Sequence, residues 1–196
     1  MGAPLVQHTG RGLPLGRDDV DTDQIVPARF CRRITRTGYD DALFADWRGL
    51  SGFPLSDQAY AGATVLLAGR NFGTGSSREH AVWALRDWGF RVVLASSFGD
   101  IFLRNALNNG LLAVTLPPDG LNLLLGRTAA DPAAPISVDL AAGQVEAAGH
   151  TWEFEIDGRA RELLLTGADE IDSTLERGDL ITRYEAGREP WTAKVG

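Results

Sequence analysis

The segment Gly69-Arg-Asn-Phe-Gly-Thr-Gly-Ser-Ser-Arg-Glu-His80 concentrates residue types that do chemistry: three glycines, the adjacent hydroxyls of Ser76 and Ser77, two guanidiniums, a carboxylate and an imidazole. Its glycines permit sharp turns and bring backbone N–H groups close to a ligand. A helical pattern begins just after it, and a helix N-terminus favours an anion. Arg78 is the sharper clue, because a cation in a first helical turn opposes the helix dipole by about 0.3–1 kcal/mol at an exposed site. A bound anion at Gly75–Arg78 would offset that cost, and a carboxylate matches the planar guanidinium fork.

Simpler roles compete for the same residues. Ser76-x-x-Glu79 is a capping-box pattern, which alone accounts for a serine and a glutamate at this spacing. One of Ser76 and Ser77 can cap while the other presents its hydroxyl to a substrate, and adjacency does not say which. His80 shares a helix face with Ser76, but no carboxylate partner and no GxSxG turn accompany it, which argues against a hydrolase triad. The GxG lacks both the third glycine of a dinucleotide-binding turn and the GK[ST] of a P-loop.

Asp18, Asp19, Asp21 and Asp23 crowd one short stretch. They would offer hard oxygen ligands to a divalent cation, without the rest of a calcium-loop pattern. The other reading makes Asp21 and Asp23 positioning residues that cap turns or pair with Arg17 and Arg29, a bridge to Arg29 being the favoured version. Cys31 is the one cysteine. It cannot form an internal disulfide or a multi-thiolate metal site, though Arg32 and Arg33 beside it would favour a thiolate if it were exposed. His8 and His150 receive no role.

The elements that must hold the glycine-rich segment are legible around it. Thr64–Ala68 reads as a buried strand, followed by a helix with Ala81, Leu85 and Trp88 on one face and closed by Gly89. Arg91–Ala95 is a second strand, Phe98–Ala106 a second helix closed by Gly110, and Leu111–Leu116 a third strand. Strand, helix, strand, helix, strand in so short a span requires a parallel sheet with crossovers. It places Gly69–Arg78 at the carboxyl end of a strand, where open parallel sheets bind ligands.

The flanks are less regular. Ile25-Val26 reads as a short strand and Asp40–Trp47 as a short helix in a surface excursion. Leu121–Leu125 suggests a short helix, and 127–135 a linker. Ile136, Val138 and Leu140 alternate as a strand; Trp152, Phe154 and Ile156 do likewise and lead into Asp157-Gly158, a hairpin signal. Ala168–Glu176 and Leu180–Glu185 look like terminal helices.

Composition bounds the function. The chain has 196 residues, 44% hydrophobic and 23% charged, enough for a core and for solubility. Net charge of −7 and a pI near 4.9 disfavour nucleic acid and anionic lipid as partners. The first ten residues carry no signal-peptide pattern, and no apolar run would span a bilayer, so a cytoplasmic location is expected.

Asp21-Thr-Asp-Gln-Ile-Val-Pro27, Gly73-Thr-Gly-Ser-Ser-Arg-Glu-His80 and the stretch Gly89–Gly110 resemble the small subunits of the 3-isopropylmalate dehydratases, in the aconitase superfamily. The likeness runs over most of the chain. It implies an α/β fold: a swivelling β/β/α domain over residues 1–196, with a parallel βαβαβ core and an antiparallel C-terminal strand section. The implied reaction is the conversion of 2-isopropylmalate to 3-isopropylmalate through 2-isopropylmaleate in leucine biosynthesis. By motif position the resemblance makes Ser76 the catalytic base, and Ser77 and Arg78 carboxylate binders supported by Gly75. It puts substrate selection on Ala28–Thr37, with Arg29 a possible anion contact and Phe30 and Ile34 possible walls for the isopropyl group.

The resemblance further implies a large-subunit partner that carries the 4Fe–4S cluster, so this chain alone would bind no cofactor or metal and show no dehydratase activity. Related small subunits act on citraconate or homoaconitate-type substrates with the same scaffold, and that alternative stays open, as does a self-sufficient anion-binding protein.

Overall fold

A computed structural model of the chain describes residues 4–75, 78–167, 174–175 and 178–188. It contains one seven-stranded sheet in the order β4-β3-β2-β1-β5-β6-β7. The strands are β1 (Gln7–Pro14), β2 (Val65–Leu67), β3 (Val92–Ala95), β4 (Leu112–Thr115), β5 (Pro135–Asp139), β6 (Gln144–Ala147) and β7 (His150–Glu153). The first four pair in parallel, and β1 also pairs antiparallel with β5, where the antiparallel section begins. β1 is therefore the hinge between the two halves of the sheet.

Side chains alternate across the parallel strands, and both faces are covered. Leu66, Val93 and Ala113 point to one face, where they meet Ile25, Tyr39, Phe44, Phe72, Leu85 and Phe102. Val65, Leu67, Val92, Leu94, Leu112 and Val114 point to the other, against Leu121, Leu124, Val138 and Leu164. Burial on both faces is why these strands read as unbroken apolar runs.

Between the strands lie α2 (Glu79–Trp88), α3 (Asp100–Asn108) and α4 (Pro118–Ala130). α2 ends as its sequence predicts: Gly89 takes φ +115°, and Phe90 N–H donates to the Leu85 carbonyl. Ala81 and Leu85 are buried, while Trp88 stays partly exposed under the Arg48 guanidinium.

Several expectations at the flanks are corrected. Ile25 does not lead a strand; it ends a four-residue helix, α1 (Thr22–Ile25), because Asp21 and Gln24 form a capping box there. Asp40–Trp47 forms a run of turns, interrupted at Phe44, whose φ is +46° and whose N–H reaches the Ile25 carbonyl at 2.7 Å. α4 continues to Ala130, into the stretch read as linker. Asp157 is a helix cap for α5 (Gly158–Thr166), accepting from the N–H groups of Arg159 and Ala160. The tight hairpin turn is instead Ala148-Gly149, both at positive φ between the paired Ala147 and His150. Leu180–Glu185 lies within the helix Gly178–Ala186, whereas 168–173 and 176–177 fall outside the described residues.

Candidate active site

Three chain segments leave the carboxyl ends of neighbouring parallel strands and stay side by side beyond the sheet. The turn after β2 lies between the segments following β1 and β3, through the isolated bridges Asp21–Thr74 and Phe72–Phe98. Backbone bonds close the seam: Thr22 N–H donates to the Thr74 carbonyl at 3.0 Å, Gly73 N–H to Val20 at 2.8 Å, and Gly99 N–H to Phe72 at 2.9 Å.

The glycines here answer specific demands. Gly73 has φ +76°, and a Cβ on it would fall inside the ring of Phe102. Gly75 has φ +86° and lies against the side chain of Asp21. Asn71 adopts φ +55° without being glycine; Asp19 accepts from its amide at 2.9 Å, and its N–H donates to Ser97 Oγ at 2.8 Å.

The four aspartates divide their work. Asp18 accepts from Arg70 N–H at 2.6 Å, and Asp19 from the Arg70 guanidinium at 2.7 Å. Asp21 accepts from Gln24 N–H at 2.8 Å. Asp23 is ion-paired with Arg78. Each carboxylate is thus directed at its own N–H donors, and among the described residues no group of three or more His, Cys, Asp or Glu side chains is arranged for a metal.

The favoured bridge from Asp21 or Asp23 to Arg29 is not the one that forms. Arg29 pairs with Asp46 at 2.6 Å and covers the ring of Phe30, while Arg17 covers Trp47 at 4.5 Å. Arg29 thus has a carboxylate partner of its own, distinct from that of Arg78.

Arg78 is the N-cap residue of α2 and makes no side-chain cap bond, so α2 starts at Glu79. Glu79 is then the first helical residue, not the third, and the Ser76-x-x-Glu79 capping box is not the geometry of this helix. Ser76 and Ser77 lie outside the described residues. Glu79 turns instead to Asn109, whose amide donates to its carboxylate at 2.8 Å and whose carbonyl oxygen accepts from Trp83 Nε1 at 3.1 Å.

The side chain of Arg78 is 26% exposed and that of Asp23 50%, so the pair sits at an open surface and leaves most of the five guanidinium N–H groups free of Asp23. His80 packs edge-on to Tyr39 at 5.4 Å and against Trp83 at 4.8 Å. Burial, reinforced by Arg78, lowers its pKa against the opposing pull of Glu79. It packs between two rings in surroundings that disfavour its charged form.

The segment after α1 presents Phe30 half-buried against the core and Ile34 fully exposed. Cys31 is half-buried too, and burial pushes its thiol pKa up, against the activation its arginine neighbours suggested. Sequence reasoning missed the partners in this region: Asp46 for Arg29, Asp41 for Arg33 and Tyr39 for His80. They lie in irregular chain, where no periodic pattern marks who meets whom.

A glycine-rich turn at the carboxyl ends of parallel strands, with an arginine at a helix start, is the kind of place where open parallel sheets take anionic small molecules. Comparison with known proteins gives its class: residues 3–119 match the aconitase C-terminal domain, which places the chain among the hydro-lyases of the aconitase family. A small subunit of 3-isopropylmalate dehydratase from Salinispora tropica is 54% identical over 188 residues, covering 96% of each chain. One from Frankia casuarinae is 52% identical, over 94% of this chain and 95% of that one. The crystal structure of a 3-isopropylmalate dehydratase from Methanocaldococcus jannaschii superposes with a TM-score of 0.69 at 29% identity, covering 91% of this chain and 99% of the other. The chain belongs to the 3-isopropylmalate dehydratase small-subunit family, an enzyme family of leucine biosynthesis. No described helix is long and apolar enough to cross a membrane.

Proposed function

We propose that this chain is one half of a divided dehydratase site that interconverts 2-isopropylmalate and 3-isopropylmalate through 2-isopropylmaleate in the cytoplasm, with a large subunit supplying the other half. The observation that carries this reading is the Asp23–Arg78 pair beside the turn: a guanidinium held by one carboxylate, with more N–H donors than that carboxylate uses.

In this reading Arg78 takes a substrate carboxylate with its remaining N–H donors, with Ser77 and the backbone at Gly75 beside it. Charge-assisted, two-point recognition fixes the dicarboxylate in register with the turn. Ser76 removes the proton from the carbon next to the hydroxyl-bearing one; the carbon–hydroxyl bond breaks, and the pair left by the C–H bond forms the double bond. Rehydration with the opposite regiochemistry completes the isomerisation. A serine hydroxyl is a poor base in water, so the nearby Arg78 and the helix start must stabilise its oxyanion. Asp21 and Asp23 act as positioning residues, the first by capping α1 and the second by orienting Arg78. Arg29, paired with Asp46 and lying over the Phe30 ring, is a further anion contact of this reading, and Phe30 and Ile34 would meet the alkyl substituent.

This chain's own donors do not suit an iron–sulfur cluster, since its single cysteine is half-buried with a raised pKa. A 4Fe–4S cluster of the proposed assembly would be held by the large subunit and would supply Lewis acidity at the departing hydroxyl. The swivelling single-domain organisation belongs to the same reading, because a half-site must close against its partner over about 1,200 Å² or more to exclude water.

The test is reconstitution. The chain is mixed anaerobically with the large subunit and 2-isopropylmaleate absorbance is followed; turnover requires both chains. Turnover by this chain alone would refute the divided site.

A further inference from the structure

Between Arg33 and Gly38 the chain leaves the core and returns, and one side chain closes the neck of that excursion. The Arg33 guanidinium donates to both Asp41 carboxylate oxygens at 2.7 Å and to the Gly38 carbonyl at 2.6 Å. Its flat face lies 4.9 Å from the centre of the Phe30 ring and 5.4 Å from that of Tyr39. Tyr39 is fully buried, receives its own fix from Asp87 at 2.9 Å through its N–H, and packs on His80, two residues beyond Arg78. A continuous chain of contacts thus runs from the start of α2 through His80, Tyr39 and Arg33 to Phe30. Directly after the clasping residue stands Ile34, an apolar side chain exposed to the full extent.

An isolated apolar side chain at 100% exposure gains nothing for this chain's own stability, and a flexible loop would present it in many places. The clasp removes that freedom. Two parallel N–H···O bonds to Asp41, a third to the Gly38 carbonyl and stacking on two rings are interactions a lysine ammonium cannot reproduce together. We propose that Arg33 is a specificity-positioning residue: by clasping Gly38 and Asp41 it holds Ile34 and Phe30 in register with Arg78, so that the alkyl substituent and the carboxylate of one substrate are read together. The inference rests on the proposed assignment of Ile34 to the alkyl group, and it adds the residue that fixes the loop on which Ile34 stands.

The test compares kcat/KM for hydration of 2-isopropylmaleate and of 2-methylmaleate by the complex reconstituted with the large subunit. The ratio of the two does not depend on the fraction of active enzyme, so partial unfolding of a variant leaves it unchanged. Ile34→Ala, Arg33→Lys and Asp41→Asn are each expected to lower the preference for the isopropyl compound by roughly tenfold, the scale of discrimination by hydrophobic contact. The Arg33→Lys/Asp41→Asn double variant should lower it no further than either single change, because both remove one clasp. If Ile34→Ala lowers the ratio and neither clasp variant does, the clasp proposal is wrong and the Ile34 assignment stands. If Ile34→Ala leaves the ratio unchanged, the assignment fails and the clasp proposal fails with it.

Discussion

Arg78 at the start of α2 is ion-paired with Asp23 in the first turn of α1, fifty-five residues earlier in the chain. The pair ties together two helix starts that sit beyond the carboxyl ends of β1 and β2. It also resolves an electrostatic oddity: a cation at a helix N-terminus is unfavourable, and here a neighbouring carboxylate compensates it. An exposed pair of this kind contributes only about 0.2–1 kcal/mol to stability. Its value lies in orientation, so its loss should register in substrate binding more than in folding.

Arg78→Lys keeps the charge and loses the planar fork. Hydrogen bonds to charged groups are worth about 1.5–3 kcal/mol, so steady-state kinetics of the reconstituted enzyme should show KM raised roughly 10- to 100-fold. Asp23→Asn should raise KM less, with unfolding midpoints of both variants close to that of the parent chain. Kinetics unaffected by Arg78→Lys would remove this residue from the substrate contact.

Gly73→Ala tests the turn itself. Its φ of +76° strains any L side chain, and the added methyl would collide with Phe102 beneath it. Overpacking a filled site costs about 1–3 kcal/mol, and the backbone strain adds to that. Chemical denaturation should report the loss, with turnover falling because the turn moves. Adding Phe102→Ala would relieve the collision but not the positive φ, so recovery should be partial. A Gly73→Ala variant of normal stability would mean that the turn does not adopt this geometry.

Acid should weaken the fold through two of its histidines. Burial lowers the pKa of His80 and of His8 below the ordinary value of 6.5. The unfolded chain then binds more protons than the folded one below that pH, so stability is fully present above about pH 6.5 and declines as pH falls towards the folded-state values. Urea midpoints measured from pH 7.5 to 5 should decline, and His80→Phe should flatten the slope. An unaltered slope would show that His80 does not titrate differently in the folded chain.

How far the sequence reached follows from where its patterns are periodic. The parallel strands and α2 and α3 were legible because both faces of the sheet are buried, which produces apolar runs closed by Gly89 and Gly110. β1 was not, although it is the strand that joins the two halves of the sheet. Its first five residues, Gln7–Arg11, hold no apolar side chain, and the strand carries two glycines whose purpose is visible only in three dimensions: a Cβ at Gly10 would strike Thr64, and one at Gly12 would strike Thr128. Around the site, the chemistry-bearing turn Gly73–Arg78 and its place at a strand end were legible, but the convergence of Asp21–Asp23 on that turn and the pairing of Asp23 with Arg78 rather than Arg29 were not. Arg29 and Arg33 sit in irregular chain and meet Asp46 and Asp41 through turns that no spacing rule anticipates.

The central claim is that the Gly69–Arg78 turn works on the substrate held against another chain's metal centre, and Ser76→Ala addresses it most directly. In the complex with the large subunit, single-turnover dehydration of 2-isopropylmalate by this variant should fall by at least about a hundredfold, the scale of a lost general base, with subunit affinity unchanged. Dehydration at the parental rate in an intact Ser76→Ala complex would contradict it.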